Sequence, residues 1–176
     1  MSKIDSFIIE ESKKIAGVYT FKPSKGVDDR GIIYTSFYED VFEKYLPKDL
    51  MFKHDKFSSS KKDVLRGIHG DTKSWKLVTC VYGEIYQVVV DCRKNSPTYK
   101  KWEAFTINSN EPQLILLPPN MGNSFFVNSE TAIYHYKLAY EGEYLDAEDQ
   151  FSIKWNDPTI GIKWPITNPV LSGRDK

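Results

Sequence analysis

Two adjoining apolar runs constrain the fold of this chain more than any other feature. Lys76-Leu77-Val78-Thr79-Cys80-Val81-Tyr82 and Ile85-Tyr86-Gln87-Val88-Val89-Val90-Asp91 flank a Gly83-Glu84 pair. Short, β-branched runs bounded by glycine read as two strands around a tight turn. Their near-continuous apolarity marks strands covered on both faces, as between two packed sheets. Further β-like runs lie at Ile8-Ile9, Val18-Tyr19-Thr20-Phe21 and residues 31–37, then at 102–107, 113–117, 124–127 and 133–138. Lys22-Pro23-Ser24-Lys25-Gly26 breaks the early series, and residues 39–45 form the one convincing helix candidate, stopped near Pro47. An aromatic share of 14% also favours sheet. The spacing predicts an all-β protein, an antiparallel sandwich or barrel, with a jelly roll as one topology among several.

Length and charge narrow the function classes. The chain has 176 residues, enough for one domain over residues 1–176 with its own core. Lysine plus arginine equal aspartate plus glutamate at 24 each, so no global field draws nucleic acid. An anionic ligand has to be held by local basic residues. No apolar stretch is long enough for a signal peptide or a membrane span, and Cys80 and Cys92 sit in strand-like surroundings as plain buried thiols. The expected compartment is the cytoplasm.

The three histidines can be weighed singly. His69 lies in Val64-Leu65-Arg66-Gly67-Ile68-His69-Gly70-Asp71, an apolar strand that abruptly presents two ionisable groups. Strict alternation sends Arg66 and His69 to opposite faces unless Gly67 bulges. A hydrogen-bonded strand histidine is the plain alternative to a base. In Tyr134-His135-Tyr136-Lys137 the two tyrosines share a face, and a tyrosine in a barrel mouth can serve as a general acid. Arg30 and Arg66 are rare strand arginines whose planar forks suit diphosphate; pairing with neighbouring aspartates is the alternative for Arg30. A metal centre of facial type needs closely spaced histidines, and no second histidine stands near His69; Asn123 occupies the place of a later ligand. No metal is expected.

Several ordered blocks together resemble the dTDP-4-dehydrorhamnose 3,5-epimerase family. They include Asp29-Arg30-Gly31, Leu65-Arg66-Gly67-Ile68-His69, Lys76-Leu77-Val78, Gly83-Glu84-Ile85, Val90-Asp91-Cys92-Arg93, Tyr136-Lys137, Gly161-Ile162-Lys163-Trp164-Pro165 and Leu171-Ser172-Gly173-Arg174-Asp175. The resemblance implies a cupin-like jelly roll (double-stranded β-helix) with one or two short helices, usually a homodimer, with no metal or organic cofactor, acting on a nucleotide-diphosphate 4-keto sugar. It implies His69 as base, Asp175 as the carboxylate orienting it, Tyr136 as acid on the other sugar face and Lys76 at the enolate oxygen. Arg30 and Arg66 match residues that hold diphosphate or sugar, and residues 1–16 are expected to form a strand-exchange or dimer-contact arm.

The departures from the family pattern bear on specificity. His54 and Lys56 stand where Gln and Asn are usual, Gln87 where Asp is usual and Asn123 where His is usual, so His54, Lys56 and Asn123 join the expected substrate contacts. His54-Asp55-Lys56-Phe57, Arg66-Gly67-Ile68-His69-Gly70-Asp71 and Tyr140-Glu141-Gly142-Glu143-Tyr144 are similar to epimerases of GDP-4-keto-heptoses in bacterial capsule synthesis. That similarity implies a GDP-linked heptose, inverted at carbon 3 and in some members also at carbon 5. A 3,4-ketoisomerase and a non-catalytic sugar-nucleotide-binding jelly roll are the competing readings.

Overall fold

The computed structural model describes residues 5–176. The first strands are β1 (Phe7–Glu11), β2 (Tyr19–Pro23), β3 (Lys25–Asp28) and β4 (Gly31–Tyr34). A one-turn helix α1 (Glu39–Phe42) runs into a 3-10 turn (Glu43–Tyr45). There follow β5 (Phe52–Lys61), β6 (Leu65–Gly70), β7 (Trp75–Tyr82), β8 (Glu84–Asp91), β9 (Trp102–Asn108), β10 (Leu114–Leu117), β11 (Met121–Val127), β12 (Thr131–Ala139) and β13 (Phe151–Ser152). A six-stranded sheet, β1-β2-β10-β7-β12-β5, faces a five-stranded sheet, β13-β6-β11-β8-β9, and β3 and β4 form a separate ribbon. This is the jelly roll, the double-stranded β-helix. No helix among the described residues is long and apolar enough to cross a membrane.

The turn at Gly83 differs from the tight hairpin expected there. β7 pairs with β10 and β12, whereas β8 pairs with β11 and β9, so the turn carries the chain from one sheet to the other. Gly83 has φ +79°, and the Thr131 carbonyl and Ser129 hydroxyl crowd the place a Cβ would take. Only glycine fits that crossing. The early break is also displaced: Lys25 and Gly26 open β3, and the run beginning at Gly31 ends at Tyr34.

Both sheets are covered on both sides, which explains the continuous apolar character of β7 and β8. Between them lie Val78, Cys80, Ile85, Val89, Ile107, Ile115, Phe125 and Tyr134, all buried. On the outer side of the six-stranded sheet, Leu77, Leu114 and Leu116 pack under Phe21 and Phe42. On the outer side of the other sheet, Ile68, Val88 and Val90 lie beneath Ile153, Ile160, Ile162 and Trp164 of the C-terminal segment. Each buried aliphatic side chain of this kind contributes about 1.5–3 kcal/mol. This packing fills one end of the sandwich and leaves the other end for polar groups.

Within residues 1–16, the segment Phe7–Glu11 pairs with β2 of its own chain. Phe7 packs edge-on against Phe21 and Phe42, with ring centroids 6.3 and 5.2 Å apart. Phe7–Glu11 of the expected arm is therefore an edge strand of the sheet, with Ile8 facing outward, and Ile15 is buried in the core; residues 1–4 lie outside the described residues.

Candidate active site

A cavity of about 280 Å³ opens between the two sheets, and His69, Arg66, Asn123, Lys76, Tyr136 and Asp175 all line it. His69 and Arg66 come from β6 and Asn123 from β11, in the five-stranded sheet. Lys76 and Tyr136 come from β7 and β12, in the six-stranded sheet. The imidazole thus faces the ammonium and the phenol across the cavity.

Strict strand alternation forbids Arg66 and His69 from sharing a face, yet both reach the cavity. Asn123 lies opposite His69 and Phe125 opposite Arg66, so three steps on β6 are matched by two on β11. One extra residue is accommodated by a bulge, the device that re-aims side chains at functional sites. Gly67 has φ +113°, and a Cβ there would stand 2.6 Å from the Asn123 carbonyl and 2.8 Å from the Ser124 Cβ. The backbone of β11 presses where a side chain would be.

The C-terminal segment completes the base. Val170 bridges to Val64 and accepts the Leu65 amide at 3.0 Å, which brings Ser172, Arg174 and Asp175 to the cavity. Asp175 Oδ1 lies 2.6 Å from His69 Nε2, and Ser172 Oγ donates to Asp175 Oδ2 at 2.7 Å. The short approach pairs the Nε2 side of the ring with the carboxylate. Burial holds the His69 pKa below the ordinary imidazole value, with Arg174 and Lys76 acting the same way and Asp175 opposing them. The ring is therefore neutral, and able to accept a proton, at neutral pH.

Lys76 has a partner that the sequence reading did not single out. Its ammonium lies 3.0 Å from Asp71 Oδ2, and Asp71 Oδ1 accepts the amides of Lys73 and Ser74 at 3.0 and 2.5 Å. Burial works against the Asp71 carboxylate, but Lys76 and these amides bring its pKa below the usual aspartate value. The signal for Asp71 was its place two residues beyond His69, on a turn tight enough to bring it back to Lys76.

The remaining expected contacts divide. Arg66 lines the cavity and donates from Nε to Ser60 Oγ at 2.9 Å. Lys56 also lines it, near Tyr144 Oη at 3.5 Å and Asp146 Oδ1 at 3.4 Å. Burial opposes the Lys56 ammonium, yet Tyr144, Tyr136 and Asp146 keep its pKa above the ordinary lysine value. His54 does not reach the wall. It stands behind Tyr144, with ring centroids 4.8 Å apart, and meets Tyr140 Oη at 3.2 Å. Arg30 is likewise not on the cavity of its own chain: it sits at the exposed β3–β4 turn, paired with Asp28 at 2.5 Å. His135 and Lys137 point outward to Asp55, at 2.7 and 2.8 Å, as the alternation along β12 requires.

Asn123 belongs to a neutral network. Gln87 Nε2 donates to Asn123 Oδ1 at 2.7 Å and Tyr134 Oη donates to the same oxygen at 3.2 Å. Gln87 and Tyr134 are buried, and neither was singled out as a site residue. Among the described residues, no three His, Cys, Asp or Glu side chains gather into a metal-holding group.

A carboxylate-held imidazole facing a cation and a phenol across the mouth of a jelly roll defines a class: epimerases that invert a carbon beside a sugar ketone. Residues 12–176 match the model of the dTDP-4-dehydrorhamnose 3,5-epimerase family. The enzyme of that name from Shigella flexneri is 35% identical over 165 residues, covering 92% of this chain and 90% of the relative. A dTDP-4-dehydrorhamnose 3-epimerase from Streptomyces niveus is 32% identical, over 92% of this chain and 78% of the relative. The crystal structure of a dTDP-6-deoxy-D-glucose 3,5-epimerase from Legionella pneumophila, in complex with dTDP-4-keto-L-rhamnose, superposes with a TM-score of 0.88 at 32% identity, over 97% of this chain and 90% of that one. This chain belongs to the dTDP-4-dehydrorhamnose 3,5-epimerase family and is an isomerase of nucleotide-linked 4-keto sugars.

Proposed function

We propose that the chain epimerises a dTDP-linked 4-keto-6-deoxy sugar at carbon 3 and carbon 5. The observation that carries the mechanism is the division of the ionisable groups between opposed sheets, His69 on one and Lys76 and Tyr136 on the other. A hydrogen beside a ketone is acidic because the carbanion delocalises onto oxygen. Neutral His69, oriented by Asp175, removes it. The Lys76 ammonium stabilises the oxygen as it becomes negative, an interaction stronger in the transition state than in the ground state. Tyr136 delivers a proton to the opposite face, and the centre inverts. Arg66 and Arg174, both at the cavity, supply local positive charge for the diphosphate.

The expectation of a GDP-linked heptose draws no support from the relatives named above, whose names carry dTDP-linked sugars. It is kept as a second reading on one observation. Lys56 and Asn123 line the cavity with chemistry different from the family pattern, and Lys56 with Tyr144 and Asp146 makes a polar wall suited to an extra hydroxyl-bearing carbon.

Two further expectations are part of the proposal. A homodimer accounts for the exposed apolar residues Val27 and Ile33 of the β3–β4 ribbon and Ile8 of the edge strand, and a second copy is the route by which Arg30 reaches a cavity. The unpaired thiols Cys80 and Cys92 fit the cytoplasm.

Incubation with dTDP- and GDP-linked 4-keto sugars in deuterated water, followed by NMR, tests base, position and chemistry together. Deuterium at carbons 3 and 5 of a dTDP sugar with inverted product is the expected result. Movement of the carbonyl carbon identifies a ketoisomerase instead, and binding without exchange identifies a non-catalytic protein.

A further inference from the structure

The side-chain amide of Asn123 has a fixed direction. Its oxygen accepts from both Gln87 Nε2 and Tyr134 Oη. Turning the amide over would set its NH2 group against the Gln87 Nε2 donor, losing that bond and leaving two donors opposed, whereas the Tyr134 hydroxyl can donate or accept and holds the amide either way. Nδ2 is therefore turned away from the network and toward the cavity that Asn123 lines, and no protein group among the described residues accepts from it. An NH2 group held this way offers donors that carry no charge at any pH.

Gln87 is an expensive way to fill its place. It is wholly buried, its Nε2 donates to Asn123 and to the Val88 carbonyl at 3.1 Å, and its Oε1 has no hydrogen-bond partner among the described residues. An apolar side chain of the same length avoids that unpaired oxygen. Packing alone gives no reason for an amide in the middle of β8, whereas its donor has a specific recipient.

We propose that Gln87 and Tyr134 are positioning residues that lock the Asn123 amide so that it donates an N–H to an uncharged oxygen of the bound sugar. The proposal rests on the epimerase reading and adds the specificity of the site: the substrate presents an acceptor oxygen on the His69 side, since Asn123 lies directly across from His69 in the β6–β11 pair. The charge that develops during deprotonation falls on the ketone oxygen assigned to Lys76. A neutral donor on the other sheet therefore holds ground state and transition state alike, and its loss raises KM without lowering kcat.

The test compares wild type, Asn123→Ala, Gln87→Met and the double variant, read by steady-state epimerisation of whichever 4-keto sugar wild type turns over. Gln87→Met is expected to melt at or above the wild-type temperature while KM rises about tenfold, the scale of one hydrogen bond, with kcat within about twofold. Because Gln87 acts through Asn123, the double variant is expected to match Asn123→Ala alone. Tyr134→Phe serves as an independent variant that removes one donor and keeps the ring. Wild-type KM in both Gln87→Met and Tyr134→Phe, or effects of Gln87→Met and Asn123→Ala that add in full, would overturn the positioning role while leaving the epimerase reading intact. A wild type that epimerises no 4-keto sugar overturns both.

Discussion

His69 Nε2 lies 2.6 Å from Asp175 Oδ1, with the carboxylate buried and the imidazole still open to the cavity. Burial, the first influence on this ring, keeps its pKa below about 6.5, and Asp175 opposes that shift. The base works when neutral, so kcat/KM is expected to fall as pH drops through a pKa beneath the ordinary imidazole value. In Asp175→Asn the opposing charge is gone, so the acid limb moves to lower pH while the plateau falls because the ring loses its orienting partner. His69→Asn lowers the plateau by about 10²–10⁴-fold. Profiles of kcat/KM against pH for the three proteins check this.

Tyr136→Phe is expected to separate the two proton transfers. The base still exchanges the hydrogen beside the ketone, because His69 removes and returns it on one face. Inverted product drops by about 10²–10⁴-fold, the usual worth of a positioned acid. NMR in deuterated water distinguishes exchange with retention from inversion, and equal losses of both would remove Tyr136 from the acid role.

Lys76 and Asp71 are expected to report different quantities. Lys76→Met lowers kcat by about 10²–10³-fold with a small change in KM, because the ammonium acts on charge that develops during reaction. Asp71→Asn leaves a buried ammonium without its carboxylate and costs about 3 kcal/mol in stability, measured by urea unfolding. A fully stable Asp71→Asn protein would show that the pair at 3.0 Å is not structural.

Asp91 makes a stability prediction remote from the chemistry. Burial on its own raises this carboxyl, but Arg93, Ser96 and Thr98 donate to it and its pKa falls to about 2. A folded-state pKa below the unfolded value gives stability that is complete above about pH 4 and lost as pH falls toward 2. Asp91→Asn is expected to cost about 2 kcal/mol at pH 7 and progressively less in acid. Thermal melts of both proteins between pH 7 and pH 3 check the narrowing gap.

The apolar strands were legible because the core writes its own pattern: β7, β8 and β10 to β12 lie near the runs that predict them. β5 was not. Its sequence, Phe52-Lys53-His54-Asp55-Lys56-Phe57-Ser58-Ser59-Ser60-Lys61, is polar on both faces, since one face meets solvent and the other includes Lys56 and Ser58 at the cavity. A strand that lines a polar site lacks the alternation that betrays other strands. The pairing at Gly83 was equally hidden, because local sequence records a turn without recording which sheet receives the next strand.

The site residues show the same division. His69, Lys76, Tyr136 and Asp175 were reachable through resemblance and share one cavity. Their supports, Asp71, Ser172, Gln87 and Tyr134, act through contacts across sheets or loops that spacing does not encode. His54 matched a substrate-contacting position, yet aromatic packing against Tyr144 sets it one layer back.

The irregularity at Gly67 has an engineering consequence. Two inward tasks on one strand, an arginine and an imidazole three places apart, coexist because the ladder miscounts by one. Inserting one residue between Asn123 and Phe125 would even the ladder at three steps against three and swing Arg66 or His69 outward, silencing the enzyme while retaining every functional side chain. Transplanting this chemistry onto another scaffold therefore means copying the miscount along with the residues.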